Sequence, residues 1–339
     1  MAAHTSAPNT KPGLVVANFG TIAAVVAVAV AALAINTLGS STVISLIAQA
    51  VIISLLALGV GTLIRTSGVV SFGHAAPFGF GAYGVAFALS SGAPLPAELG
   101  LLLVVPLVIG VFFLVGLVVS RLDGIAFSML TLALVQGVYV AATKSRGITG
   151  GADGIIIDMP RRLFGVDTHF IQQPGGMFML SLGCLAIVYG LLRLFESSHY
   201  GRLAVGIREN EERVRFLGYR TRALKAAVYA MSCGIACLGG MLYALYQGFI
   251  SPEIVHWSFS GSALIMAILG GAVALWGPVA GAFGFFFMRE WLSDLTTHWL
   301  AVLGLTLIVV TVLWPTGLSG GVSALTRRLR IFWNRGSGR

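Results

Sequence analysis

Charged side chains are scarce in this sequence. They make up 10% of its 339 residues, while 57% are hydrophobic and the mean hydropathy is +0.93. A soluble domain carries roughly 25% charged residues, so a water-covered globule of this size is excluded. Carboxylates are scarcer than bases, 12 against 21. Within the apolar runs they are almost absent: Glu290 and Asp294 lie near a run's end and Glu253 falls in a loop. A proton-coupled carrier relies on an intramembrane Asp or Glu relay, which disfavours that class. Lysine occurs only as Lys11, Lys144 and Lys225. None of them has the Gly-x-x-x-x-Gly-Lys-Ser/Thr setting that cradles phosphate. His-Glu-x-x-His and Cys-x-x-Cys are also missing, so zinc-hydrolase chemistry has no foothold. The three cysteines, Cys184, Cys233 and Cys237, lie in apolar stretches, and their odd number argues against a disulfide framework. Cys233 and Cys237 are one helical turn apart, a spacing that suits a metal, but with no His or carboxylate beside them the reading is packing. No metal or cofactor is expected.

What is present is a series of apolar runs. They lie at 14–36, 42–64, 73–91, 99–120, 124–143, 175–193, 226–249, 259–274, 277–292 and 299–315. A bilayer-spanning helix needs about 20 mostly apolar residues, and unalternating runs exclude the dyad pattern of a β-barrel. The fold class expected is all-α: a polytopic membrane protein of ten spans, some short or broken. The run from Leu14 to Ile35 is longer than a signal-peptide core and lacks a basic leader, so it reads as a retained first helix.

The charge is +9, but the bases sit between the apolar runs, as the positive-inside rule requires; no nucleic-acid partner is expected. Arg193 and the stretch Glu196–Lys225 hold one cluster of bases and the tail Arg327–Arg339 another. Both should be cytoplasmic, so an even number of crossings must separate them. Ser258–Arg289 must then be two short helices rather than one long one, broken at Gly270-Gly271 and Trp276-Gly277-Pro278. Pro278 supports the break, because proline cannot continue the helical hydrogen-bond ladder. With both termini inside, Lys144, Arg146, Arg161, Arg162 and Arg289 fall outside and the other 16 of the 21 Lys and Arg fall inside. The organisation expected is a cytoplasmic tail 1–13, a permease domain 14–322 with a cytoplasmic loop 196–225 and an external loop 144–174, and a basic cytoplasmic tail 323–339.

Four segments carry the chemistry. In the first, Gly68, Gly73, Gly79 and Gly81 surround His74 and Pro77. Glycine permits close backbone approach or unwinding, so the run 73–91 reads as a broken or re-entrant helix. Two readings of it stand. It forms a translocation path from Ser71, Phe72, Gly73, His74, Gly79, Gly81 and Tyr83, offering backbone groups to a polar solute; or it is a packing seam with His74 hydrogen-bonded to a neighbour. The second segment, Ser145–Gly154, predicts tight turns at Gly150-Gly151 and Asp153-Gly154, suited to an external partner or a pore rim, or an ordinary surface turn. The third runs from Tyr200 to Tyr219. A short amphipathic helix over 208–218, with Val214 and Leu217 on one face and Gly218 as its C-cap, suits docking into a partner groove or lying on anionic lipid. Its candidate contact residues are Arg208, Glu209, Asn210, Glu211, Arg213, Val214, Leu217 and Gly218. The fourth, Ile268–Gly281, is the tight turn already argued.

These segments, in this order, resemble the LivM-type permeases of branched-chain amino acid ABC transporters, over about Gln49–Gly321. The resemblance is carried by Ser71-Phe-Gly-His-Ala-Ala with Gly79-Phe-Gly-Ala-Tyr83, by Thr149-Gly-Gly-Ala-Asp-Gly154, and by Gly201-Arg-Leu with Ile207-Arg-Glu-Asn-Glu211 and Leu217-Gly218. Gly240-Met-Leu-Tyr, Phe249-Ile-Ser-Pro-Glu253, Leu269-Gly-Gly, Leu275-Trp-Gly-Pro278 and Trp314-Pro-Thr-Gly-Leu318 complete it. The resemblance implies an inner-membrane import complex: a homologous LivH-like permease, two cytoplasmic ATPases, and an external solute-binding protein. The 208–218 segment becomes its ATPase-coupling helix, without any ATPase site of its own. Here the sequence departs from the family, with Arg213 and Val214 in place of small residues and a bulky Phe216. The family also includes permeases for urea and short amides. A stand-alone small-solute channel and a lipid-acting membrane enzyme are the alternatives outside it; flux or turnover by the isolated chain would mark them.

The parity argument is directly testable. In whole cells, Trp276→Cys should react with an impermeant thiol reagent only from the cytoplasmic side, and labelling from outside would refute the two-helix break.

Overall fold

A computed structural model describes residues 39–295, apart from 91, 93 and 273, together with His298, a few positions between 301 and 309, and residues 317–321. The expected first span 14–36, most of the expected last span 299–315, and both tails, 1–13 and 323–339, lie outside the described residues.

The eight remaining apolar runs are helices. In chain order they are α1 (Ser41–Ser67), α2 (Ala75–Leu89), α3 (Ala97–Val119), α4 (Gly124–Lys144) and α5 (Pro174–Ser197). After these come the charged helices α6 (His199–Glu209) and α7 (Glu211–Phe216), then α8 (Thr221–Gln247), α9 (Trp257–Gly270) and α10 (Gly277–Leu295). Five of them, α1, α3, α4, α5 and α8, are long and apolar enough to cross a bilayer, while α2 and α9 are apolar but shorter. Among the described residues the only strands are four two-residue pieces.

The helices divide by burial and not by apolarity: of the five long apolar ones, α3 is the most apolar yet mostly exposed, and α8 the least apolar yet mostly buried. From Ala50 to Leu63 every residue of α1 is buried, as suits a helix that is hydrophobic all round. Helix α8 is the other central element, packed against α1, α2 and α3. Helices α3, α4 and α5 instead bury one stripe and turn large apolar side chains outward, among them Leu107, Leu114, Ile125, Met129, Ile187 and Leu191. Lipid tails are as apolar as leucine, so such faces need no cover in a membrane, and association between helices rests on close packing of small residues.

The crossing of α2 and α8 shows that packing. A Cβ added to Gly81 would fall 2.2 Å from the Cys237 carbonyl oxygen, and one added to Gly240 would fall 1.8 Å from that of Phe78. Each helix thus presents a glycine to the other's backbone. Cys233 and Cys237 are buried in this seam. The α9–α10 turn is built in the same way. A Cβ on Gly270 would strike the Gly277 carbonyl at 1.8 Å, and one on Gly281 that of Met266 at 2.0 Å. Trp276 is exposed at this turn. Ser319 donates its hydroxyl to the Gly271 carbonyl (3.0 Å) from the chain that follows.

At one end of the bundle, the segment between α4 and α5 holds left-handed glycines at 150, 151 and 154. Two features there have no helical periodicity to announce them. Ile155–Ile156 pairs antiparallel with Phe249–Ile250, and Arg162–Leu163 pairs with Val166–Asp167 around a turn with positive φ at Phe164 and Gly165. The opposite end carries Arg65, Glu196, α6, α7 and the start of α8, and is called the basic end below.

Because the Phe78 carbonyl is main chain and cannot swing away, Gly240→Val should lower the thermal midpoint of the detergent-solubilised protein, at an overpacking cost of about 1–3 kcal/mol or more. Gly137→Ala, whose Cβ would meet nothing within 4 Å, should leave the midpoint unchanged.

Candidate functional site

Helix α2 does not cross the bundle alone. Its 15 residues reach about 22 Å at 1.5 Å per residue, against a hydrocarbon core of about 30 Å. The rest of the crossing is made by non-helical chain from Gly68 to His74. Gly68, at φ +69°, leaves α1 beside the Arg208 side chain at the basic end, and Ala88 meets Gly100 of α3 at the other. The span is therefore broken and goes through; it is not re-entrant.

Irregular backbone is tolerated at membrane depth only when its polar groups find partners in the protein, and here hydroxyls supply them. Thr131 of α4 accepts from the Phe72 N–H (3.2 Å), and Ser128 donates to the Val70 carbonyl (2.7 Å). Ser71 accepts from the Gly73 N–H (3.1 Å). Ser260 of α9 accepts from the Ala75 N–H at 2.7 Å. His74 precedes the helix and is fully buried, its Nε2 3.1 Å from the Ser232 hydroxyl of α8. Its ring stands edge-on to Tyr229, with centroids 6.1 Å apart. Counting from the basic end, Ser232 lies 11 residues into α8, about 16 Å along it. This polar centre thus sits near mid-bundle, where α2, α4, α8 and α9 converge.

The sequence-derived path residues occupy this seam as follows. Ser71, Gly73, His74, Gly79, Gly81 and Tyr83 are buried, and Phe72 is half-buried. Gly79 faces Val255, whose Cγ2 would lie 2.3 Å from an added Cβ, and Gly81 faces α8. Four buried side-chain polar atoms have no hydrogen-bond partner among the described residues: His74 Nδ1, Tyr83 Oη and Gln136 Oε1, and, at the basic end, Glu196 Oε1. Thr131, Ser232 and Ser260 escaped sequence reasoning, because a lone hydroxyl in an apolar run carries no periodic signal.

The second candidate site, at the basic end, differs from the expected continuous 208–218 helix. Arg208 and Glu209 end α6, whereas Asn210 breaks the chain at φ −160° and caps α7 by accepting from the Arg213 N–H at 2.9 Å. Val214 and Leu217 do not share a face. Val214 is 7% exposed, beside Gly206 of α6. Leu217 is 71% exposed and Phe216 is 91% exposed. Gly218 follows at φ +86°, a left-handed position that favours glycine.

Two ionic ties bind this segment to the membrane helices. At the end of α1, the Arg65 carbonyl accepts from Arg208 Nη1 at 2.7 Å, and Arg65 Nε lies 3.0 Å from Glu196 of α5, off the axis of a hydrogen bond. In the second tie, Lys225 of α8 bonds both Glu211 of α7 and Asp123 before α4, the latter at 2.7 Å. Glu211 also accepts from Thr221 (2.8 Å) and Arg215 (3.1 Å). Burial alone would push the Glu211 carboxyl up, but the hydrogen bonds from Lys225 and Thr221 outweigh it and hold it below its ordinary value. Its stabilising contribution is thus in place at neutral pH and lost only as pH falls through that depressed value. Asp123 and Lys225 were not among the sequence candidates, since more than 80 residues separate either of them from its ion-pair partners except for Lys225 and Glu211.

The family model described as branched-chain amino acid transport system, permease component, matches residues 42–311. The chain is 27% identical over 289 residues to the high-affinity branched-chain amino acid transport system permease protein LivM of Escherichia coli K12, covering 78% of this chain and 67% of that protein. The LivM of Salmonella typhimurium gives 27% over 287 residues with the same coverage. An autoinducer 2 import system permease, LsrC of Salmonella paratyphi B, is 26% identical over 259 residues, covering 75% of this chain and 70% of its own length. No solved structure matches.

Removing a partner from a buried backbone N–H costs about 1–3 kcal/mol. Thr131→Val and Ser260→Ala should therefore each lower the thermal midpoint in detergent. Ser262→Ala, whose hydroxyl bonds only its own helix, should not.

Proposed function

The chain belongs to the branched-chain amino acid transport permease family, and from that premise we propose that it translocates branched-chain amino acids or a related small solute across the inner membrane along the broken span. As a family member it is the multi-pass membrane component of an ATP-binding-cassette importer, without catalysis of its own, and such components work with ATPase and solute-binding subunits. In the finer reading the partners are a LivH-like permease, two cytoplasmic ATPases and an external binding protein. Residues 196–225 and the tails 1–13 and 323–339 face the cytoplasm, and 144–174 faces outward.

The observation that carries this reading is the pair Phe216 and Leu217. Two large apolar side chains stand exposed at the tip of a charge-rich segment that the Glu211–Lys225 pair holds to α8 and the Arg208–Arg65 carbonyl hydrogen bond holds to α1. Exposed aromatic anchors beside charged residues are what a protein partner's groove receives, so the ATPase contact centres on these two residues, with Arg213 and Gly218 flanking them. Val214 serves inside the fold. The polar centre supports the path. His74 Nδ1, Tyr83 Oη and Gln136 Oε1 are interior polar atoms without a hydrogen-bond partner among the described residues, and a half-helix start offers dipole and backbone groups to a zwitterion without a buried charge. In the resting arrangement Gly79 and Gly81 are closed against Val255 and α8, so transport requires that seam to part. Relatives named for branched-chain amino acids and for autoinducer 2 leave the family's solutes diverse; urea or a short amide is the alternative solute.

Proteoliposomes holding the full complex should show ATP-dependent uptake, and the chain alone should show none; appreciable flux through the isolated chain would favour a stand-alone channel. Phe216→Asp should reduce ATPase co-purification roughly ten-fold or more while leaving the protein inserted. Unchanged co-purification would remove the docking assignment.

A further inference from the structure

Helix α4 is the least embedded of the long helices: it buries only Phe127, Thr131, Val135 and Ala142, a single stripe. Three contacts along that stripe lead from the basic end to mid-bundle. Asp123, at the start of α4, is paired with Lys225 of α8 at 2.7 Å. One turn further, Phe127 stands edge-on to Tyr229, with centroids 5.8 Å apart and planes at 89°. One turn beyond that, Thr131 accepts from the Phe72 N–H. On α8 the matching positions, Lys225, Tyr229 and Ser232, are spaced by four and three, so they also share one face. Tyr229 touches His74, and Ser232 is bonded to it.

Glu211 enters this ladder at its foot. The Lys225 side chain is 11% exposed and that of Glu211 19%, so the ammonium is held between the carboxylate of α7 and that of Asp123, which is 68% exposed. Asp123 occupies the N-cap position of α4 yet makes no capping bond; its carboxylate is spent on Lys225. A short helix tipped with Phe216 is thus joined through one ammonium group to the foot of the helix whose third rung holds the unwound backbone.

We infer that Glu211, Lys225 and Asp123 form the mechanical link by which displacement of α7 reaches α4 and, through Thr131, opens the broken span. They are positioning residues that touch no solute. The inference rests on the reading of α7 as the motor-docking helix. Arg65, Arg208 and Glu196 tie the same segment to α1 and α5. Helix α5 contributes nothing to the polar centre; α1 reaches it at Gly59, beside Ser232 and His74, but is buried along its middle, so the Lys225 tie is the one that leads there through the least embedded helix.

The test uses the whole complex in proteoliposomes, reading solute uptake and ATP hydrolysis together. Lys225→Met keeps the stem and removes the charge. Uptake should fall about ten-fold, as loss of a coupling free energy of ordinary size gives, while hydrolysis stimulated by loaded binding protein stays within about two-fold. Lys225→Arg should restore the wild-type ratio of uptake to ATP. Because Asp123 is exposed, Asp123→Asn reads the same link if the lysine variant does not fold, and the double variant should lose no more than the worse single one. An unchanged ratio in Lys225→Met or Asp123→Asn, or a proportional loss of both activities, would overturn the link. Failure of the wild-type chain to recruit an ATPase would overturn the docking reading instead, and the two failures are distinguishable because the ratio is measured only where recruitment occurs.

Discussion

The rest of this structure depends on a backbone that stops being helical halfway through the bundle. Each main-chain N–H or C=O left unpaired in hydrocarbon costs several kcal/mol, so the stretch from Gly68 to His74 fixes what must surround it. Thr131 and Ser128 have to face it from α4 and Ser260 from α9, while Ser232 of α8 meets the His74 ring. Those requirements set the rotation of three helices about their axes. Two glycines, Gly81 and Gly240, then let α2 sit backbone to backbone on α8, so that short hydroxyl side chains can reach.

The cost of that arrangement is local and its partners are few, which makes it a plausible place for change. A packed seam of leucines offers no discrete alternative, since lipid and protein interior are equally apolar to it. A seam held by four hydroxyl bonds does: its N–H groups can exchange a serine or threonine for water or a solute's carboxylate, and the Val70 carbonyl can exchange Ser128 for water or a solute's ammonium. The polar centre is therefore both the support of the fold at rest and the part of it whose bonds are replaceable without burying a charge.

Much of this was readable in the sequence, for physical reasons that differ between elements. The long runs at 42–64 and 226–249 appear as α1 and α8 because a bilayer dictates their length and composition. At 73–91 the sequence allows either a broken or a re-entrant span, since glycine content signals unwinding without saying where the chain goes afterwards. At 208–218 the amphipathic pattern pointed to one helix, but the Asn210 side chain competes for a backbone N–H and starts a new one, which turns Leu217 and Phe216 outward and Val214 inward. The ribbon joining Ile155–Ile156 to Phe249–Ile250 and the pairing of Asp123 with Lys225 across 102 positions have no local signature at all. Long-range polar contacts depend on which helix neighbours which, and apolar periodicity is silent on that.

The two ionic ties at the basic end are unequal, and the inequality matters. Arg65 and Glu196 are 27% and 18% exposed and meet without the alignment of a hydrogen bond. Lys225 is more deeply set and is shared between two carboxylates that come from different helices, one of which also takes bonds from Thr221 and Arg215. A shared ammonium resists shear more than a single pair does, because displacing either carboxylate leaves the other competing for the same charge in a partly dry site. The stronger tie is thus the one connected to α4, the helix with the least else to hold it. A bundle whose loosest long helix carries such a polar attachment to the docking segment concentrates movement in that helix and leaves α1 as the frame.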